Sequence, residues 1–132
     1  MLLTVPGVGP LLVYTIASEI GDIARFASPK KLTGYTGLCP LVRQSGNRDV
    51  RGPLAKNGPK YLRWALFEAA THAARDVHYR ERYERPTHRL GRQGGAKVAR
   101  VDIARQLAEA IWHVLTKKEP FAPAGPAMQL VA

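Results

Sequence analysis

Two stretches of this chain repeat apolar residues at steps of three and four, and this spacing constrains the fold more than any other feature. The first covers residues 59–77 and the second residues 97–116, each long enough for about five turns of α-helix. The apolar positions are Leu62, Ala65, Leu66, Ala69, Ala70, Ala73 and Val77 in the first, and Val101, Ala104, Ala108, Ile111 and Leu115 in the second. The sequence therefore predicts a mostly α domain with two long helices, and the many alanines allow close helix packing.

A glycine-rich segment around Gly7 and Gly9 leads into a shorter helix pattern that ends at Gly21. This arrangement is typical of the second half of a helix-hairpin-helix, in which glycines let the backbone bring its N–H groups to a nucleic-acid phosphate. We therefore interpret residues 1–25 as a partial helix-hairpin-helix, with a plain loop–helix junction as the alternative. Only three residues precede Thr4, so the first helix of the motif has no room, and we expect the chain to be cut from a longer protein.

The middle of the chain predicts a short helix and then a basic loop. Ser28 followed by Pro29 favours an N-cap and a first helical turn, so a helix is expected over residues 29–36. Residues 41–58 lose the helical spacing and form the basic loop, which can fold as a β-hairpin turning near Ser45.

A charged segment joins the two long helices. Glu–Arg neighbours favour helix over residues 78–85, and we expect Pro86 to end it. Three glycines predict a flexible connection over residues 89–96. We expect one domain over residues 1–117, followed by a loosely ordered, proline-containing tail over residues 118–132.

The charge of the chain is strongly positive and unevenly distributed. Twenty Lys and Arg against ten Asp and Glu give a formal net charge of +10 and a sequence pI near 10.3. Residues 43–63 hold six cations and one anion, and residues 78–100 hold seven cations and two anions, so each stretch is net +5. A polyanion such as DNA is the expected partner, whereas a solubilising surface, the alternative, mixes the two signs more evenly.

The first basic stretch runs directly into the long helix that starts near Pro59. Lys56, Lys60 and Arg63 would meet there with the helix N-terminus, whose free N–H groups and dipole attract anions, so we predict a phosphate site. Lys60 and Arg63 extending into solvent is the alternative. Trp64 and Phe67 are expected in the core, with base-stacking platforms as the alternative. Tyr61 is a weaker candidate nucleophile, and its place on the apolar side favours burial instead. The predicted nucleic-acid contacts are Gly7, Gly9, Arg43, Arg48, Arg51, Lys56, Lys60 and Arg63.

Other kinds of chemistry find little support in the residues. The acids are scattered singly and the four histidines lack zinc spacing, so no metal site and no cofactor are predicted for this chain. Ser45, between Arg43 and Arg48, is a candidate nucleophile, with a turn residue as the alternative. The single cysteine, Cys39, and the lack of an apolar run of about 20 residues predict a soluble, cytoplasmic protein without a membrane partner.

Four motifs follow one another along the chain: PGVGP at residues 6–10, LTGYTGLCP at 32–40, SG at 45–46 and GPKYLRWAL at 58–66. In this order and spacing they resemble the C-terminal domain of DEDD transposases of the IS-one-ten group, which occur in bacterial insertion sequences. The likeness extends from Leu3 to about Phe121.

This resemblance implies a recombinase in two parts. An N-terminal RNase H-like domain would carry the acidic cluster and its Mg²⁺, and the present domain would supply a serine that attacks DNA. The resemblance also implies a structured guide RNA and assembly into homo-oligomers. The family's serine lies two residues before the equivalent of Asn57, a position that Ala55 occupies here. A shifted register, a lost nucleophile or another hydroxyl, of which Ser45 is nearest, would each explain the difference.

We therefore expect a DNA-binding half of an active site, inactive by itself. The alternative is a helix-hairpin-helix module that binds nucleic acid without catalysis.

Overall fold

The computed structural model describes residues 1–38, 40–45, 48–54 and 59–122. Within them the chain forms five α-helices and one pair of strands, which confirms the mostly α fold. The helices are α1 (Pro10–Ile20), α2 (Pro29–Thr36), α3 (Lys60–Ala73), α4 (Arg80–Leu90) and α5 (Arg92–Lys117), and the strands are β1 (Pro40–Ser45) and β2 (Arg48–Leu54).

Helices α1 and α2 have the ends that their sequences predict. Helix α1 follows Gly9 at the N-cap and stops at Gly21, whose φ of 66° suits glycine. Helix α2 is capped by the Ser28 side chain, which accepts a hydrogen bond from the Lys31 N–H at 3.3 Å. It ends at Gly37 in the left-handed conformation.

Strands β1 and β2 pair antiparallel, so the β-hairpin considered for the basic loop is present. Ser45 pairs with Arg48 next to the turn and Arg43 with Val50 further along, and the register shifts between Pro40 and Val42. The two residues that join the strands, 46 and 47, lie outside the described part of the chain.

Helix α3 is shorter than the predicted 59–77. It ends at Ala73, and Val77, expected on the apolar face, is 74% exposed. After the helix the Asp76 carboxylate accepts the His78 N–H at 2.9 Å and contacts the His78 ring. A side chain that binds nearby backbone N–H groups competes with helical hydrogen bonds, which accounts for the early end.

The connection between the long helices is helical, and two expectations about it were wrong. Helix α4 continues through Pro86 to Leu90, and α5 begins at Arg92 instead of Lys97, so Gly91, with a φ of 87°, is the whole link. Residues 89–96, predicted to be a flexible connection, are instead helical apart from Gly91, because α4 and α5 pack closely. A Cβ placed on Gly95 would lie 2.3 Å from the Pro86 carbonyl oxygen, so glycine is what allows α4 and α5 to touch.

The core lies around α5, which packs against α2, α3 and α4. Its buried positions step by three and four and are Ala99, Ile103, Ala104, Leu107, Ala108, Ile111 and Val114. Trp112 ties α5 to the α1–α2 connection by donating from Nε1 to the Phe26 carbonyl at 2.9 Å. Burial raises the pKa of Tyr79 to about 12, so this core-facing phenol is neutral at physiological pH.

The end of the described chain returns to its beginning. The Phe121 N–H donates to Thr4 Oγ1 at 2.7 Å, and the Phe121 ring lies against His78 and Tyr79. Residues 123–132 lie outside the described part, and the division into a domain over 1–117 and a tail over 118–132 stays a prediction. Within the described ranges no helix is long and apolar enough to cross a membrane.

Candidate nucleic-acid interface

The start of α3 has the features of an anion site. Pro59 is the N-cap residue, and its ring offers no oxygen to accept the free N–H groups of the first turn. The first turn contains Lys60 and Arg63 and no acid, so nothing in it neutralises the positive end of the helix dipole. The Lys60 side chain is exposed. This end of α3 therefore has an exposed cation beside N–H groups that no side chain caps.

Arg63 is oriented differently from Lys60. It is half-buried, and its Nη1 donates to the Thr36 carbonyl oxygen at the C-terminus of α2, 3.4 Å away. A cation at this end of a helix stabilises the unpaired carbonyls and the negative end of the dipole. Arg63 thus joins α2 to α3, in addition to any contact with a ligand.

The β-hairpin brings two of the predicted contact positions near the candidate nucleophile in the strand register. Ser45 pairs with Arg48, and Arg43 is two positions back on β1. Arg51 pairs with Val42 further along the ribbon.

Ala55, the position of the expected serine, and the neighbouring Lys56 lie outside the described residues. Their predicted roles stay predictions.

Gly7 and Gly9 differ in what surrounds them. A Cβ on Gly7 would lie 2.1 Å from the Ala69 carbonyl oxygen, and its φ is 83°. Gly7 is therefore the point at which the N-terminal segment packs on the backbone of α3. Gly9 has nothing within 4 Å of a built Cβ and precedes the first turn of α1, so it keeps the open geometry that a phosphate contact needs.

Two aromatic residues expected in the core lie on the surface of α3. Tyr61 is 64% exposed and Trp64 is 45% exposed, whereas Phe67 is partly buried against the core. The expected burial of Tyr61 and Trp64 was therefore wrong. The exposure of Trp64 could have been predicted from the helical spacing. Leu62, Leu66 and Ala69 define the buried side of the helix, and Trp64 lies opposite to it.

The second basic stretch is a helical hairpin made of α4 and the first half of α5. Arg82 is ion-paired with Asp102 at 3.2 Å, and Arg85 is paired with Glu81 on the surface. Lys97 and Arg100 are exposed on α5. Part of the positive charge here is thus neutralised by acids within the fold.

Within the part of the chain that the structure describes, no three His, Cys, Asp or Glu side chains come together as a metal site would require. These residues do not fit a Mg²⁺ ion.

The sequence profile of the IS116/IS110/IS902 transposase family matches residues 1–84. The chain belongs to this family. The matched residues include every predicted contact position from Gly7 to Arg63, together with Ser45 and Ala55.

Individual relatives carry related names. The chain is 30% identical over 121 residues to the transposase for insertion sequence element IS1111A of Coxiella burnetii, which covers 89% of the chain and 33% of the relative. It is 27% identical over 132 residues, 96% of the chain and 31% of the relative, to an uncharacterized 44.8 kDa protein of insertion element IS116 from Streptomyces clavuligerus. A pilin gene-inverting protein of Moraxella bovis is 29% identical over 92% of the chain and 38% of the relative. The chain thus spans about a third of the length of these proteins.

Proposed function

We propose that this chain is the DNA-binding, C-terminal part of an insertion-sequence transposase or site-specific recombinase, where it contributes half of the active site. The observation that carries the proposal is the start of α3. Lys60 is exposed in a first turn that has no side-chain cap and no acid, at the end of a stretch of net charge +5. The family match includes this whole stretch. DNA phosphates are the anions that a transposase has to hold.

The other half of the active site would come from an N-terminal RNase H-like domain of the same full-length protein. Its acidic cluster would hold Mg²⁺, since the described residues of this chain do not fit the ion. A structured guide RNA and assembly into homo-oligomers complete the proposal. Both rest on the family relationship.

Binding through the start of α3 can be tested by the salt dependence of DNA affinity. We expect the double variant Lys56→Gln/Lys60→Gln to reduce the slope of log affinity against log salt by about 0.9 for each lost phosphate contact, because fewer counterions are released. Fluorescence anisotropy with a labelled duplex between low and moderate salt gives the slope. Arg63 is left intact because it also bonds α2.

The matched control is Lys30→Gln/Lys31→Gln, which removes the same charge from two exposed lysines of α2, outside both basic stretches. It should change the slope much less. Equal slopes for the two double variants would show that total charge, and not the start of α3, governs binding.

A second candidate function is binding without catalysis, as in a helix-hairpin-helix module. Ala55 favours it, because alanine has no hydroxyl to attack a phosphodiester.

The two candidates differ in what Ala55→Ser should do. In a chain joined to the acidic N-terminal domain of a relative, the new serine should yield a covalent protein–DNA adduct that resists denaturing electrophoresis. The unsubstituted joined chain should give none. An adduct in the unsubstituted chain that disappears with Ser45→Ala would instead identify Ser45 as the nucleophile.

A further inference from the structure

The first two turns of α3 expose two large aromatic side chains beside a cation. Lys60, Tyr61 and Trp64 are all exposed on α3, and we call this surface the aromatic ridge. Tryptophan is highly buried in most proteins, whereas Trp64 is 45% exposed. Two partly exposed aromatic rings beside a cation, at the end of a basic stretch, offer a surface that a ligand can cover.

The aromatic ridge lies on a helix that is fixed by its buried residues. Leu62 and Ala65 are 0% exposed and Leu66 is 1% exposed, so the residues that alternate with the ridge fix α3 against the core. Arg63 further ties this turn to the end of α2 through the Thr36 carbonyl. A binding surface on a fixed helix loses little conformational entropy when a ligand binds.

The surroundings of the ridge favour a nucleic acid over a protein. Glu68, Thr71 and His72, the next residues along the exposed side of α3, are polar and exposed, so the aromatic area does not continue along these positions of the helix. A stable protein interface needs a larger complementary patch. Proteins that bind single strands use aromatic side chains to stack on unpaired bases and cations to contact the backbone. Tyr61, Trp64 and Lys60 provide both next to the stretch of net charge +5. Glu68 would repel phosphates and so mark where the surface ends.

We propose that the aromatic ridge of Lys60, Tyr61 and Trp64 binds unpaired bases of a DNA strand, with Tyr61 and Trp64 stacking on bases and Lys60 contacting the backbone. This inference rests on the proposed function and extends it from duplex phosphates to single-stranded DNA. Strand cleavage and exchange expose such bases.

The test compares a 12-nucleotide oligo-dT with a 12-base-pair duplex in anisotropy titrations at one salt concentration. Trp64→Ala and Tyr61→Ala should each weaken oligo-dT binding by about 5- to 150-fold, the range for losing one base stack. Duplex binding should change less than about twofold, since paired bases offer no free face. Trp64→Phe should retain most of the oligo-dT affinity, because a smaller ring still stacks.

Tyr14→Ala is the matched control. Tyr14 is an aromatic residue of α1 that is 74% exposed, outside both basic stretches, so its loss should leave oligo-dT affinity within about twofold. Tryptophan fluorescence gives a second readout. Oligo-dT should quench the tryptophan fluorescence of the wild-type protein. The Trp64→Phe variant, in which half-buried Trp112 is the remaining tryptophan, should lose that quenching.

Three results would overturn the inference. The first is that Trp64→Ala leaves the oligo-dT affinity unchanged while the protein still binds duplex DNA with a steep salt dependence. This result would contradict the ridge and leave the proposed function intact. A second is a Trp64 dependence found with oligoribonucleotide and not with oligo-dT. The third is a ridge variant that changes the oligomeric state at unchanged DNA affinity, which would make the ridge a protein contact.

Discussion

At the scale of single residues, two glycines of the N-terminal segment have different surroundings. Gly7 packs on α3 with a positive φ, and a side chain there would meet the Ala69 backbone. Gly9 faces open space. The sequence presents both as equal members of one Gly-x-Gly motif. In the structure Gly7 packs on α3, whereas a Cβ on Gly9 would have open space around it.

Gly7→Ala should therefore destabilise the protein by about 3 kcal/mol, the sum of a left-handed alanine and an overpacked contact. Gly9→Ala should cost at most about 1 kcal/mol, because it only weakens an N-cap. Urea unfolding followed by circular dichroism measures both. An equal loss of unfolding free energy in the two variants would contradict the packing of Gly7 on α3.

At the scale of elements, the α4–α5 hairpin shows how packing overrides helix-breaking residues. Pro86 lies inside α4, and Gly94 and Gly95 lie inside α5. The carbonyl of Pro86 approaches Gly95, and Thr87 Oγ1 donates to the carbonyls of Tyr83 and Glu84. Each residue disfavours an isolated helix, and together they permit a close crossing.

Gly95→Ala should destabilise the protein by roughly 2 kcal/mol, because overpacking against α4 exceeds the gain in helix propensity. Gly94→Ala, with open space around its Cβ, should stabilise it by up to about 1 kcal/mol. Thermal unfolding of the two variants gives the comparison. Stabilisation by Gly95→Ala would show that α4 does not pack at this point.

At the scale of the whole molecule, contacts between distant residues close the fold around α5. Trp112 bonds Phe26, and Phe121 bonds Thr4, so the last helix and the segment after it fasten both the α1–α2 connection and the N-terminal turn. The start of α3 is positioned by the same packing, through Leu62 and Leu66 in the core and Arg63 at α2. The candidate interface therefore depends on helices beyond the matched family residues.

Local sequence signals determined much of this protein. The caps at Ser28 and Gly21, the helix over 29–36, the hairpin, the mostly α fold and the family follow from residues close together in the chain. These features depend on backbone hydrogen bonds and φ preferences within a few residues, which sequence patterns report directly. The positive charge of the first basic stretch likewise follows directly from the sequence.

Only the tertiary structure decided the rest. The sequence marks Pro86 and the glycines of α5 as helix breakers, and only the structure shows that they lie where α4 and α5 touch. The packing of Gly7 on α3 is likewise visible only in the structure, and its predicted phosphate contact stays a prediction. Trp64 is expected in the core because tryptophan usually is buried, but it is 45% exposed. In each case the deciding energy comes from contact or solvent exposure between segments far apart in sequence, which local spacing does not encode.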